Sequence, residues 1–362
     1  MLKAKTYFIY TFGCQMNKSD SERIAGDYRR RGFRPAKSAK VADEVVVNTC
    51  SVRKSAEDRV IGLLLNLGKL KPKPKIILTG CMLHFNRQKL REILPQIDKF
   101  MPINEKGFNV PSVRQDKVNA WVPISNGCNS FCSYCIVPYS RGREKSRPEK
   151  EILNEVCRLI QQGYTEITLL GQNVNSYGLD RMPIGLRKVK KLIGKPPFVN
   201  LLEKICQFNK LKCVRFMTSN PWDFSEALIN CIAKYPQIDR FIHLPVQSGS
   251  NRILKLMNRG YTWQQYLKLI NKLKQKVKQL TLGTDIIVGF PGETEADFQD
   301  TVKLAKKVNW QIAFVARYSP RPGTVAAKMI DNVSDQEKIQ RWQILEKIIN
   351  KKHLSHRPKV IK

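Results

Sequence analysis

Short β-branched or aromatic runs, closed by Gly, Asn or Thr, alternate along this chain with longer stretches of helical periodicity. In the first third, Thr6–Phe12, Glu44–Asn48 and Lys75–Thr79 read as strands. Between them Ser19–Arg31 and Val52–Leu70 read as helices, the first opened by a capping box of Ser19 with Glu22. Strand alternating with helix predicts a parallel sheet in an α/β layer. A polar stretch without clear period, Asn104–Asn119, reads as a linker.

A second alternation starts at Trp121. Its strands are expected at Trp121–Ser125, Glu166–Leu170, Cys213–Thr218, Arg240–Leu244, Leu282–Val288 and Gln311–Tyr318. Helices are expected at Glu149–Gln162, Phe224–Lys234, Trp263–Lys276 and Glu295–Val308, with a last one over Asp335–Lys351. A closed (β/α)8 barrel takes eight units; the pattern here supplies six, so an open, partial barrel is predicted. The expected organisation is an α/β domain over 1–115, a partial β/α barrel over 116–352 and a basic tail over 353–362.

Composition narrows the function. With 42% hydrophobic residues, the chain can build a sizeable core, unlike a disordered or low-complexity protein. Its longest apolar runs, such as Val45–Val47 and Ile76–Leu78, are strand-sized, so no membrane span is expected. Lys plus Arg number 64 against 30 acidic residues, a net charge of +34. So large an excess fits solubility or a polyanionic partner, above all nucleic acid. Basic runs occur at Lys69–Lys75, Arg187–Lys195, Lys272–Lys278 and Lys351–Lys362, the second inside a Pro- and Gly-containing stretch, Met182–Pro197, that reads as an inserted loop.

Ten cysteines are too dilute for a disulfide scaffold, and the N-terminus has no secretion signal, so a reducing cytoplasm is expected. Cys128, Cys132 and Cys135 form C-x3-C-x2-C directly after the first strand of the second domain. Structural zinc takes four ligands, and ordinary iron–sulfur clusters take four cysteines. Three thiolates on a four-iron cluster leave one iron open, which a catalytic centre needs. Cys14, Cys50 and Cys81 each lie just past a predicted strand of the first domain. If those strands are parallel, the three thiols emerge along the carboxyl edge, where open α/β sheets place ligands. Cys157, Cys206, Cys213 and Cys231 fall among apolar neighbours and read as core. His84, His243, His353 and His356 form no ligand spacing with one another; His243 could approach the site from the fourth barrel strand, but a structural role is the expectation.

The stretch from Cys128 through Cys135, with Ile136-Val137-Pro138 and Arg141-Gly142-Arg143-Glu144 after it, resembles the radical S-adenosylmethionine superfamily. Thr11–Asn17, Asp20–Arg23, Asn48–Arg53 and Thr79–Met82 narrow the resemblance to the methylthiotransferases. Gly13-Cys14-Gln15-Met16-Asn17 is similar to the branch that makes 2-methylthio-N(6)-isopentenyladenosine in tRNA. His243–Ser250, Met257–Thr262, Asp285–Glu293 and Tyr318–Gly323 extend the likeness over essentially the whole chain.

That resemblance implies two 4Fe-4S clusters and S-adenosylmethionine as cofactors. Cys128, Cys132 and Cys135 would hold the cluster that binds S-adenosylmethionine and cleaves it to methionine and a 5′-deoxyadenosyl radical. Cys14, Cys50 and Cys81 would hold an auxiliary cluster that takes part in sulfur delivery, and Tyr134 would pack near the adenine. Gln172, Ser219, Gln247 and Asp285, at or near the carboxyl ends of barrel strands, are the further candidates for cofactor contact. The expected partners are isopentenylated tRNA and an electron donor such as a flavodoxin or ferredoxin, with the chain a monomer.

Two readings compete: a methylthiotransferase for threonylcarbamoyl-adenosine, against which Gln15-Met16 argues, and a non-catalytic RNA-binding protein with structural metal, against which the missing fourth ligands argue. The sequence departs from the family at Leu83-His84-Phe85, which bears on local packing. It also runs to Lys362 without a strand pattern behind the last helix, so the family's terminal RNA-binding β-barrel is expected to be absent. The basic runs would then hold tRNA.

Overall fold

A computed structural model describes residues 4–350 apart from 52–53, 86, 104–106, 109, 111 and 183–194. Most of the expected inserted loop, the basic run Arg187–Lys195 except its last residue, and the tail lie outside the described residues.

The first domain is a five-stranded, all-parallel sheet. Its strands are β1 (Thr6–Thr11), β2 (Arg34–Pro35), β3 (Glu44–Thr49), β4 (Lys75–Gly80) and β5 (Lys99–Met101), in the order β2-β1-β3-β4-β5. The central strand β3 is buried along its whole length, as a parallel strand covered on both faces must be. Alternate residues feed two cores. Val45, Val47, Ile76 and Leu78 pack against Val60 and Leu64 of helix α2 (Lys54–Gly68). Val46 and Ile77 pack against Ile24 and Tyr28 of α1 (Gln15–Arg30) on the opposite face. A short α3 (Arg87–Ile93) leads into β5. The edge strands β2 and β5 were not foreseen.

The capping box expected at Ser19 and Glu22 is not there. The helix α1 begins four residues earlier, with Cys14 at its N-cap and no side-chain cap. Ser19 is buried mid-helix, and Glu22 is engaged by Arg114, which bonds it at 2.9 Å, and by the Gln115 amide at 3.1 Å. A long-range ion pair has taken the carboxylate that the local spacing assigned to capping.

The second domain has the six predicted parallel strands, with ends shifted in all but Glu166–Leu170. Strands β6 (Asn119–Pro123), β9 (Glu166–Leu170) and β10 (Cys213–Phe216) form one run. Strands β11 (Phe241–His243), β12 (Thr281–Val288) and β13 (Ile312–Arg317) form another. A single parallel bridge, Val214 to Ile238, joins the two runs into an open barrel wall. Between β6 and β9 a small antiparallel hairpin pairs β7 (Ser125–Asn126) with β8 (Lys145–Ser146). The short α4 (Val137–Ser140) lies inside this hairpin's connection.

Helices α5 (Glu149–Gln161), α6 (Pro197–Cys206), α7 (Glu226–Lys234), α8 (Asn251–Leu256), α9 (Trp263–Lys276) and α10 (Glu295–Val308) complete the β/α layer. One continuous core, including Phe198, Tyr266, Ile286, Phe298 and Trp310, fills the space between helices and strands. The last helix α11 covers Asp335–Leu345 and continues as a π-helical turn over Glu346–Asn350.

The two domains share α1. Besides covering the first sheet, it sets Met16 against Trp121 of β6 and Leu170 of β9, and places the Lys18 ammonium 5.7 Å from the Trp121 ring centre.

Candidate functional site

Three adjacent strands of the first sheet end in register. Thr11, Asn48 and Thr79 are partners across β1, β3 and β4. Cys14, Cys50 and Cys81 follow within two or three residues, so the backbone delivers all three to one edge. Gly13 keeps two of them close. Its φ is +107°, and a Cβ there would lie 2.8 Å from Cys50 Cβ and 3.2 Å from Cys50 Sγ. Only glycine combines that backbone with that approach.

Polar side chains beneath the thiols fix the loops. Asn17 donates to the Thr49 carbonyl at 2.8 Å, and its Oδ1 lies 3.5 Å from Cys14 Sγ. Asn48 donates to the Asn17 carbonyl at 2.8 Å and to Ser21 Oγ at 3.0 Å. Thr49 donates to the Thr79 carbonyl at 2.6 Å and accepts from the Met82 amide at 3.1 Å. Cys50 and Cys81 are buried, while Cys14 keeps an exposed surface although its thiol is hemmed in closely enough to be desolvated. Burial raises the Cys14 pKa, with the facing Arg141 guanidinium offsetting part of the rise and Cys81 adding to it.

The second set sits on the loop after β7. Gly127, at φ +79°, lets this loop run against the carbonyls of Gly142 and Arg143, which a Cβ would strike. The Cys128 amide donates to the Gly142 carbonyl at 3.2 Å. Ser133 ties the loop to α8 through the Leu256 and Met257 carbonyls, at 2.8 and 3.0 Å. Arg259 donates to Cys132 Sγ at 3.2 Å. Burial, with the charges of Cys132 and Cys128 adding to it, pushes the Cys135 thiol up to about 12. Cys128 is raised too, by burial and then by Glu144 and Cys132.

The desolvated thiols of Cys14, Cys128 and Cys135 resist ionising in the bare protein. A metal centre supplies the positive charge that deprotonates them, so both donor sets suit one. Among the described residues no three His, Cys, Asp or Glu side chains converge tightly enough to grip a single ion. A four-iron cluster takes one thiolate per iron, and so suits donors spaced more widely than that.

Arg141 connects the two sets. It lies six residues past Cys135, is almost wholly buried, and crosses into the first domain. It donates to Asn17 Oδ1 at 3.0 Å, Asp20 Oδ2 at 2.8 Å and Asn126 Oδ1 at 3.1 Å. A second crossing is made by Arg321, which bonds Glu57 of α2 at 3.0 Å.

The other predicted positions line the carboxyl end of the barrel. Gln172 follows β9, Ser219 follows β10, and Gln247, at φ +70°, follows β11. Ser219 Oγ is buried without a hydrogen-bond partner, as are Asn173 Oδ1 and Asn220 Oδ1 nearby in sequence. Asp285, within β12, meets His243 Nε2 at 3.1 Å, which brings His243 to the candidate site from the fourth barrel strand. Tyr134 packs with Ile253, Met257, Phe290 and Tyr318; burial raises its hydroxyl pKa, and Arg259 opposes the rise.

Arg141, Arg259 and Asn17 join the site without having been among the expected site residues, although all three lie inside the motif stretches Arg141–Glu144, Met257–Thr262 and Thr11–Asn17. An arginine in so basic a chain carries no local signal; the burial of Arg141 does. Of the four cysteines read as core, Cys206 and Cys231 are buried, whereas Cys157 and Cys213 are half-buried.

An open parallel β/α barrel with a C-x3-C-x2-C loop at its carboxyl end is the arrangement of a radical S-adenosylmethionine protein. The family model for the Radical SAM superfamily matches residues 122–305, and that for Uncharacterized protein family UPF0004 matches residues 6–102. A tRNA-2-methylthio-N(6)-dimethylallyladenosine synthase of Thermotoga petrophila is 42% identical over 96% of this chain and 82% of its own length. The synthase of that name from Carboxydothermus hydrogenoformans is 43% identical over 96% and 83%. Among solved structures, the radical S-adenosylmethionine methyltransferase TsrM of Kitasatospora setae superposes with a TM-score of 0.64 at 14% identity, over 90% of this chain and 77% of that one. The cobalamin-dependent S-adenosylmethionine radical enzyme OxsB gives 0.56 at 11%, over 97% and 56%. Those two likenesses concern the fold.

The chain belongs to the tRNA-2-methylthio-N(6)-dimethylallyladenosine synthase family, within the radical SAM superfamily.

Proposed function

We propose that this chain adds a methylthio group to carbon 2 of N(6)-isopentenyladenosine in tRNA, using two 4Fe-4S clusters and S-adenosylmethionine. The observation that carries the reading is the pair of three-thiol sets at the carboxyl edges of two parallel sheets, bridged by Arg141. Cys128, Cys132 and Cys135 would hold one cluster, and Cys14, Cys50 and Cys81 the auxiliary one. When bound, these groups supply the electron-transfer, radical, sulfur and methyl chemistry, which is theirs and not a side chain's.

The protein's part is placement. Arg259 donates to a thiol of the barrel set and so stabilises its thiolate. Arg141 and Asn17 hold the rim of the auxiliary set against the barrel loop. Ser219, Asn173 and Asn220 offer buried polar atoms with unspent hydrogen-bonding capacity, suited to a polar cofactor. Gln172, Gln247, Asp285 and Tyr134 complete the proposed pocket for S-adenosylmethionine. The division near residue 115 follows the change from one sheet to the next. Among the described residues no helix is long and apolar enough to cross a membrane. A cytoplasmic monomer supplied with electrons by a flavodoxin or ferredoxin fits this chemistry.

Anaerobic reconstitution followed by iron analysis and nucleoside mass spectrometry tests the reading. Replacing Cys128, Cys132 and Cys135 by Ala should halve the iron and abolish S-adenosylmethionine cleavage. Replacing Cys14, Cys50 and Cys81 should halve the iron, leave cleavage intact and stop methylthiolation. Unchanged iron in either triple variant would overturn the cluster assignment. Equal turnover of unmodified tRNA would overturn the substrate.

A further inference from the structure

The loop carrying the barrel cysteines also carries an outward-facing aromatic pair that the proposed chemistry does not use. Phe131, directly before Cys132, has φ +45°, a left-handed conformation that a bulky residue rarely adopts. It is held there from a separate segment: Asn258 Nδ2 donates to the Phe131 carbonyl at 2.9 Å. The conformation leaves the ring half-buried at the loop's surface rather than in the core. Tyr139 of α4 stands edge-on to it, ring centres 6.4 Å apart and planes at 85°, with 48% of its surface exposed. Arg143, also exposed, lies over the Phe131 ring at 4.3 Å. Exposed Lys145 follows on β8.

An exposed aromatic beside a surface arginine, on a chain of charge +34, matches what single-stranded RNA requires: a flat apolar face for a base and a cation for its phosphate. A protein or lipid partner would favour a broader apolar patch. We propose that Tyr139, floored by Phe131, is a stacking platform for an unpaired nucleobase flanking the adenosine to be modified, with Arg143 facing the adjoining phosphate. This rests on the tRNA reading above and adds to it a way of gripping the loop beside the barrel thiols. Asn258 acts as a positioning residue that sets the platform's floor.

The test uses the reconstituted full chain and a synthetic anticodon stem-loop RNA bearing isopentenyladenosine, with 2-aminopurine at the neighbouring loop position on either side in turn. Stacking should quench 2-aminopurine at one of the two positions when wild-type protein binds. Tyr139→Ala should abolish that quenching and weaken binding about 5- to 150-fold. Tyr139→Phe should retain both, and iron content should stay at the wild-type level in both variants. Normal RNA binding with no quenching at either position, or quenching undiminished in Tyr139→Ala, would overturn the platform and leave the tRNA reading standing. No binding of this RNA by the wild-type protein would overturn both.

Discussion

Arg141 holds its place against a cost. A guanidinium 2% exposed and a carboxylate, Asp20, that is fully buried have both surrendered water. Removing one partner strands the other, which typically costs about 3–5 kcal/mol. Arg23 also pairs with Asp20, so Arg141→Met should fall toward the lower part of that range. In the metal-free protein the urea midpoint should drop, and Asp20→Asn added to Arg141→Met should restore part of the loss. An unchanged midpoint in the single variant would show that Arg141 does not tie the domains together.

At the scale of the element, helix starts are decided by partners from elsewhere as much as by local spacing. Thr294 and Asp297 form a working capping box on α10, and Ser334 with Glu337 form another on α11. Asp297 also accepts from Ser250 Oγ at 2.6 Å and pairs with Arg252, which ties α10 to α8. Burial alone would raise this carboxyl, but hydrogen bonds from Arg252, Ser250 and Thr294 outweigh it and hold the carboxyl well below the usual range. The unfolded chain therefore binds this proton more readily than the folded one. The group's contribution is fully present above the ordinary carboxylate pKa of about 3.9 and is lost as pH falls through the folded value. Asp297→Asn should lower stability by about 1 kcal/mol near neutral pH, with the gap to wild type closing in strong acid. A pH-independent gap in urea titrations would contradict this.

The same contrast explains what could be read in advance. The runs at Val45–Val47, Ile76–Leu78 and Ile286–Val288 carry their strand signal in β-branched side chains, and they are strands. The edge strands β2 and β5 have two and three residues, too few for any period to register. Cys14, Cys50 and Cys81 were legible as a set because each follows a strong strand. Ser19 and Glu22 misled because Arg114 claims Glu22 from across the chain. The meeting of His243 with Asp285 depends on β11 lying beside β12, a neighbour relation that spacing along the chain does not reveal.

For the whole molecule, charge sets the terms of association. An excess of +34 acting on tRNA should displace condensed counterions from the phosphates it neutralises. With about six to ten phosphate contacts, affinity should drop by roughly 10³- to 10⁵-fold between about 50 and 200 mM salt. Those contacts should position the RNA, and selectivity should come from the modified base. Binding curves over a salt series check this, and a shallow slope would mean that the basic surface is not where the RNA lies.

The helix α1 belongs to two cores at once, and this bears on how such a protein could be taken apart or recombined. With its N-terminal domain cut away at the linker, the barrel would present Trp121 and Leu170 to water, beside an Arg114 robbed of Glu22. The open side of the barrel would become a bare strand edge, an invitation to self-association. A transplanted N-terminal domain would therefore have to bring a helix of its own with the same apolar strip and the same acid at its midpoint. Fusing whole domains end to end would leave that seam unsealed, and because α1 also covers the first sheet through Ile24 and Tyr28, the natural unit of exchange here is sheet, helix and barrel together.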